Sequence, residues 1–197
     1  MVMGKWGKFG GGEMVTQTRR NITVFAVAAG VLFVFLYLIV LYTNTMTPVE
    51  VGGLAPDIQT KELSGESFSL QSLRGKPVLL NFFTPWCQPC IEETPDLKAF
   101  AEKYRNDIHV VMIDRGDGVG LVERYVTQYR LPASVVVLLD ENDKWSGPYG
   151  VTGQPETFFI TAGGKVVSHL LGPLTESQML TYAKAAGMNV KEWGRTP

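Results

Sequence analysis

Hydrophobic and polar residues occur in blocks along this chain, and the longest apolar block lies near the N-terminus. Residues 22–42 carry no charged side chain and are apolar on every side of a helix, whereas a core helix of a soluble domain keeps a polar stripe. A helix of this length matches the hydrocarbon core of a bilayer, roughly 30 Å thick. The pattern therefore predicts a transmembrane anchor at 22–42, preceded by a tail at 1–21.

A cleaved signal peptide is the alternative interpretation of the apolar block. Signal peptides usually have a shorter apolar region followed by a small-residue cleavage site. Here the block is followed by Thr43-Asn44-Thr45-Met46, which lacks that pattern. An uncleaved signal-anchor is therefore the favoured prediction.

Beyond the anchor, a tether and one folded domain are predicted. Residues 43–56 are rich in Thr, Gly and Pro, which is typical of a linker. The stretch 50–190 then alternates short apolar runs with amphipathic segments, in the order β-α-β-α-β-β-α after a short N-terminal hairpin. This order predicts an α/β fold with a mixed sheet. Predicted strands lie near 58–62, 67–69, 78–83, 108–114, 134–139, 157–160 and 165–170, and predicted helices near 97–104, 121–129 and 175–187. Thr175 and Gln178 resemble a capping box at the start of the last helix.

Composition and charge exclude several classes of protein. The 197 residues are 45% hydrophobic with a formal net charge of −1, which argues against a chain disordered throughout and against a general nucleic-acid binder.

Arg19 and Arg20 precede the anchor, and the next basic residue after it is Lys61. Positive charge collects on the cytoplasmic side of a membrane, so the N-terminus is predicted to be cytoplasmic and the domain extracytoplasmic.

The only two cysteines form one motif, Trp86-Cys87-Gln88-Pro89-Cys90. The motif follows the predicted strand at 78–83 and opens the next helix, where unpaired backbone N–H groups stabilise a thiolate. Two intervening residues allow one thiol to attack a mixed disulfide formed by the other. The spacing predicts Cys87 as the nucleophile and Cys90 as the resolving thiol.

Three other interpretations of the cysteine pair remain. A static disulfide would close a loop too short to stabilise the fold by much. A zinc site would need His109 and His169, whose spacing fits none of the usual zinc patterns. Two inert buried thiols would not need to stand at a helix start.

The sequence around this motif resembles the thioredoxin superfamily, specifically its membrane-anchored TlpA/ResA-like branch, over about residues 50–187. The resemblance implies a thioredoxin-like fold and thiol–disulfide oxidoreductase activity. It is carried by Val51-Gly52-Gly53-Leu54-Ala55-Pro56-Asp57, Leu73-Arg74-Gly75-Lys76, the Trp-Cys-x-Pro-Cys motif, Glu93, Pro95 and Gly153-Gln154-Pro155-Glu156-Thr157-Phe158.

The resemblance also implies roles for residues beyond the thiols. Pro155 is expected to follow a cis peptide bond beside the active site, with a trans turn proline as the alternative. Asn81 stands where cytoplasmic thioredoxin has a buried Asp, so acid–base work would fall to Glu93 or Glu156. For Glu93, one turn past Cys90, the alternative is a solvated helix residue.

The expected substrate-binding residues flank the thiols. The Gln154 backbone is expected to offer hydrogen bonds to a substrate chain, as in strand addition. The others are Trp86, Gln88, Pro89 and Glu156.

For function, the resemblance implies reduction of protein disulfides, such as the haem-site cysteines of apocytochrome c. It implies a protein disulfide substrate, a transmembrane donor of reducing equivalents, and no metal, nucleic acid or organic cofactor. Three alternatives stay open. They are a general extracytoplasmic disulfide oxidase or isomerase, a peroxiredoxin-like peroxidase suggested by Thr84-Pro85-Trp86-Cys87, and a non-enzymatic binding module.

Overall fold

A computed structural model describes residues 12–45 and 48–189, with side chains at 24–41 and 48–189. The chain divides near residue 46 into two compact units. The first contains helix α1, Gly12–Thr45. Its segment Val24–Leu41 has a mean hydropathy of 2.9, so α1 is long and apolar enough to cross a bilayer.

Helix α1 is longer than the predicted anchor at both ends. It begins inside the predicted tail, ahead of Arg19 and Arg20, and runs into the predicted tether. Residues 1–11 of the tail lie outside the described residues, as do the side chains of these two arginines. Helical geometry continues because the polar residues flanking the apolar segment include no proline.

The second unit is built on a mixed sheet. Within the described residues, seven strands pair in the order β2-β1-β5-β4-β3-β6-β7. Strands β3, β4 and β5 are parallel, whereas β6 runs antiparallel to β3 and β7 antiparallel to β6. The bounds are β1 Gln59–Glu62, β2 Ser67–Ser69, β3 Val78–Phe83, β4 His109–Asp114, β5 Val135–Leu139, β6 Glu156–Ile160 and β7 Val166–Leu171.

Four helices accompany the sheet in the described part of this unit. They are α2 Gln88–Lys103, α3 Val119–Tyr129, α4 Ser146–Tyr149 and α5 Glu176–Ala185, and a 3-10 turn spans Leu70–Leu73. The predicted α/β class and the mixed sheet are confirmed. The predicted capping box at Thr175 and Gln178 is present at the start of α5. Helix α4 was not predicted, since its one turn is too short to show a period.

Both faces of the sheet are buried, which explains the nearly continuous apolar run of β3. Leu79 and Phe83 join the core beneath α2, α3 and α5. Leu80 and Phe82 join a second core on the opposite face. Asn81 points to the first face and is also buried, so its side chain must find partners there.

The predicted tether is shorter than expected because its C-terminal part pairs with the domain. The N–H of Gly52 donates to the carbonyl of Val166 (2.8 Å), and the N–H of Val166 returns a bond to Gly53 (2.9 Å). Ala55 is buried against the second core. Residues from about 49 onward therefore belong to the folded unit, and the remaining domain boundaries stay predictions.

Candidate active site

Three loops meet at one edge of the sheet and form the site. Parallel strands β3 and β4 end there, at Phe83 and Asp114. Strand β6 is antiparallel to β3 and starts there, because Glu156 pairs with Phe82. The loops after β3 and β4 and the loop before β6 are thus brought together by strand register alone.

Cys87 occupies the N-cap of α2. Its sulfur accepts the N–H of Cys90 (3.3 Å) and lies 3.5 Å from the carbonyl oxygen of Gln154, to which its thiol donates. Pro89 lies in the first turn of α2, where the helix has no need of its missing N–H. The Cys87 sulfur is therefore at a helix start and beside the carbonyl of the Gln154–Pro155 peptide, where the sequence predicts it.

Cys90 lies one turn further and is only 2% exposed. The pKa of the Cys90 thiol lies far above its ordinary value. Burial is the largest cause, and the hydrogen bond with Cys87 is the second. Both cysteines are free thiols in this structure. Ionisation of the Cys90 thiol is therefore unfavourable in this environment.

Glu93 is buried on the same helix, at 3% exposure. Its carboxylate accepts the amide of Asn81 (3.0 Å) and the N–H of Leu174 (2.8 Å). Burial is the main reason that the pKa of Glu93 rises to about 7. Glu93 is therefore a buried titrating group rather than a solvated helix residue, and its charge acts on Cys90.

The peptide bond between Gln154 and Pro155 is cis, the geometry that the resemblance implies. Pro155 itself is buried, whereas Gln154 is half-buried. The Gln154 carbonyl is the group that faces Cys87. The cysteine motif and the loop before β6 are thus in direct contact.

Glu156 lies away from the thiols, contrary to the expectation that it faces them or a substrate. Its neighbour Thr157 bonds Asn81 beneath α2, so strand alternation turns Glu156 to the other face. Its buried carboxylate accepts the N–H groups of Thr152 (2.8 Å) and Gly153 (3.1 Å) and contacts His169. These two bonds join Glu156 to the residues just before Pro155, so its carboxylate holds the loop that precedes β6.

The other expected substrate residues lie at the surface. Trp86 is 65% exposed, and its indole N–H donates to Asp117 (2.7 Å). Gln88 and Pro89 are also exposed, and Gln88 bonds only Glu92 in the next turn. An aromatic face and an open helix start therefore border the thiols.

Sequence reasoning missed two site residues in the loop after β4. Asp117 orients Trp86, and Arg115 donates to the Gln154 side chain (2.7 Å) and to the Gly153 carbonyl (3.3 Å). A signal existed, because neighbouring parallel strands end at the same sheet edge and Arg115-Gly116-Asp117-Gly118 directly follows β4. Among the described residues, no group of three or more His, Cys, Asp or Glu could hold a metal ion.

This fold, with a free Cys-x-x-Cys pair at a helix start beside a cis-proline loop, defines a thioredoxin-like thiol–disulfide oxidoreductase. Comparison with known proteins agrees. The AhpC/TSA family pattern matches residues 51–169. The chain belongs to the AhpC/TSA family of thioredoxin-like proteins.

Two of the similar relatives are thiol-disulfide oxidoreductases named ResA. It is 34% identical over 137 residues to the thiol-disulfide oxidoreductase ResA of Bacillus thuringiensis, covering 69% of this chain and 78% of ResA. It is 32% identical to ResA of Geobacillus thermodenitrificans over 140 residues, with 71% and 79% covered.

Solved structures show the same fold. A putative thiol:disulfide interchange protein DsbE from Chlorobium tepidum has a TM-score of 0.64 at 27% identity, covering 70% of this chain and 98% of that one. A secreted Mycobacterium tuberculosis disulfide oxidoreductase homologous to DsbE has a TM-score of 0.59 at 28% identity, with 65% and 95% covered. The predicted family, fold and enzyme class are confirmed.

Proposed function

We propose that this protein is a membrane-anchored reductase of protein disulfides that acts outside the cytoplasm through the Cys87–Cys90 couple. The observation that carries the proposal is the Cys87 sulfur, set between the Cys90 N–H and the Gln154 carbonyl. Similarity to ResA and DsbE supports it. Haem-site disulfides of apocytochrome c are the proposed substrate class.

The first step joins enzyme and substrate. The Cys87 thiolate attacks one sulfur of the substrate disulfide, and the other sulfur leaves with the bonding electron pair and takes up a proton. The helix start stabilises the attacking thiolate. The exposed Trp86 and the Gln154 backbone border the place where the substrate chain would lie.

The second step releases the reduced substrate. Cys90 loses its proton, attacks the Cys87 sulfur, and expels the second substrate thiolate, which is then protonated. The products are one enzyme disulfide and two substrate thiols. Glu93, with a pKa of about 7, is the proposed acceptor of the Cys90 proton, because burial opposes ionisation of that thiol.

The cycle needs a donor, since each turnover consumes two electrons. A membrane protein that carries reducing equivalents across the bilayer is the proposed donor. The proposed topology puts the N-terminus in the cytoplasm and the domain outside, on the strength of Arg19 and Arg20 before the apolar segment. Alkaline phosphatase, active only outside the cytoplasm, fused after residue 197 should be active; an inactive but expressed fusion would contradict this topology.

The reaction is tested with a disulfide-bonded peptide containing Cys-x-x-Cys-His, the haem-attachment pattern. The reduced full chain in detergent should convert it stoichiometrically to the dithiol, and Cys87→Ser should abolish the reaction. Cys90→Ser should stop at a mixed disulfide on Cys87. The peptide remaining oxidised under these conditions would contradict the proposal.

The direction of electron flow is tested by the reduction potential. Equilibration with glutathione or thioredoxin buffers should give a value well below that of a strong oxidant, about −120 mV. A potential near that value would instead favour the oxidase alternative. Rapid sulfenic acid formation at Cys87 on peroxide addition to Cys90→Ser protein would favour the peroxidase.

A further inference from the structure

The backbone of Gly153 is held on both of its polar groups. Its N–H donates to the buried carboxylate of Glu156 (3.1 Å), and its carbonyl accepts the guanidinium of Arg115 (3.3 Å). The same nitrogen of Arg115 donates to the side-chain oxygen of Gln154 (2.7 Å). The loop that faces Cys87 is therefore held by Glu156 through one backbone group and by Arg115 through another.

Arg115 is itself anchored by the loop that leads into α4. Its Nε and Nη2 donate to the two carboxylate oxygens of Asp143 (3.2 and 2.8 Å), and Nε also reaches the hydroxyl of Ser146 (3.0 Å). That hydroxyl in turn bonds Asp143. The Arg115 side chain is only 18% exposed, so its position is set by these partners rather than by solvent.

A guanidinium suits this place because its donors form a rigid fork. Nε and Nη2 can bind the Asp143 carboxylate while Nη1 donates to the Gly153 carbonyl and the Gln154 side chain. A lysine keeps the charge but has a single nitrogen at its tip. It could hold Asp143 or the 153–154 loop, but not both in this geometry.

We propose that Arg115 is a positioning residue that fixes the Gly153–Gln154 backbone against the Cys87 sulfur. It touches neither thiol through any described contact; it acts through Gln154, whose carbonyl faces Cys87. This inference rests on the proposed function, because the fixed backbone is the one on which a substrate chain would pair. A loosened loop would present that edge less often, which weakens substrate binding more than chemistry.

The test compares Arg115→Lys, Gln154→Ala and the double variant in single turnovers of the reduced full chain in detergent, with excess Cys-x-x-Cys-His peptide as substrate. KM and kcat then denote the half-saturating peptide concentration and the limiting rate of that turnover. Arg115→Lys should raise KM by about tenfold, the loss expected for one hydrogen bond to a charged group, with kcat changed less than about twofold. Because the Gln154 side chain acts through its contact with Arg115, the double variant should be no worse than Arg115→Lys alone. Arg105→Lys, an exposed arginine beyond α2, is the matched control.

A second measurement separates this proposal from the proposed function. Backbone order parameters of Gly153 and Gln154 should fall from about 0.85 to below about 0.6 in Arg115→Lys, and stay unchanged in Arg105→Lys. If the wild type fails to reduce the peptide, the proposed function fails, but the order parameters still decide the role of Arg115. If Arg115→Lys does not fold, Gln154→Ala still removes the shorter of the two bonds from Arg115 to this loop, and the order parameter of Gln154 should fall. Unchanged loop order, or additive effects on KM, would overturn the proposal.

Discussion

Glu93→Gln removes the one buried carboxylate that lies on the same helix as both thiols. In the folded protein, burial raises the pKa of Glu93 to about 7, although the Leu174 N–H and the Asn81 amide both favour its ionised form. A glutamine has nearly the same shape and can still accept the Leu174 N–H. The Asn81 side-chain oxygen has no partner among the described atoms, so a rotated Asn81 could accept the new amide.

The size of the effect follows from the pKa. Moving a carboxyl from its usual value of 4.5 to about 7 disfavours ionisation in the folded state by roughly 3 kcal/mol. Between these values the native state holds a proton that the unfolded state has lost. Stability therefore falls as the pH rises from about 4.5 to 7, and the full loss persists above that range.

The assay is urea unfolding of the reduced full chain in detergent at several pH values between 4.5 and 8.5. We compare the free energy of unfolding of Glu93→Gln with that of the wild type at each pH. The difference, variant minus wild type, should increase by roughly 3 kcal/mol as the pH rises across this range. A constant offset from altered hydrogen bonds cancels in this comparison. So do other titrating groups distant from the substitution.

Glu92→Gln is the matched control, because Glu92 is an exposed carboxylate one residue away. This substitution removes the same formal charge from the protein but leaves the buried carboxylate of Glu93 in place. Parallel pH profiles for Glu93→Gln and the wild type would refute the argument, since the folded protein would then not hold a proton at Glu93. The release step of the proposed cycle should also slow in Glu93→Gln near neutral pH.

Other substitutions test separate parts of the structure. Asp117→Ala frees the Trp86 indole, so fluorescence anisotropy of Trp86, with the other tryptophans replaced by Phe, should fall while stability changes by less than about 1 kcal/mol. Thr175→Ala removes the hydroxyl that caps the Gln178 N–H and should cost about 1 kcal/mol in urea unfolding. Leu97→Ala empties a fully buried place beneath α2 and should cost about 2–5 kcal/mol; a cost under about 1 kcal/mol would contradict the packing described.

Features encoded by local pattern could be predicted from the sequence. The run Val78–Phe83 gave β3 with its observed bounds, because burial on both faces leaves no polar position at the surface. The Thr175–Gln178 spacing predicted the cap of α5. Cys87 could be placed at a helix start because a strand and an amphipathic segment flank it. In each case the deciding contacts lie within a few residues along the chain.

The orientation of Glu156 shows where local pattern is insufficient. Its proximity to Pro155 suggested a carboxylate beside the thiols. Adjacent side chains on a strand point to opposite faces, so only one of Glu156 and Thr157 can face α2. The bond from Asn81 to Thr157 settles which one, and that bond joins strands far apart in sequence.

The partners of Arg115 could not be predicted for a related reason. Its partners at Asp143, Gly153 and Gln154 are separated from it by 28, 38 and 39 positions, and no spacing along the chain marks them as neighbours. They meet because β4 and β5 end, and β6 begins, at the same sheet edge. Strand order therefore carries information about this site that the Cys-x-x-Cys motif lacks. In this chain the motif indicates the chemistry, whereas the loops after β4 and before β6 determine how the backbone beside Cys87 is held.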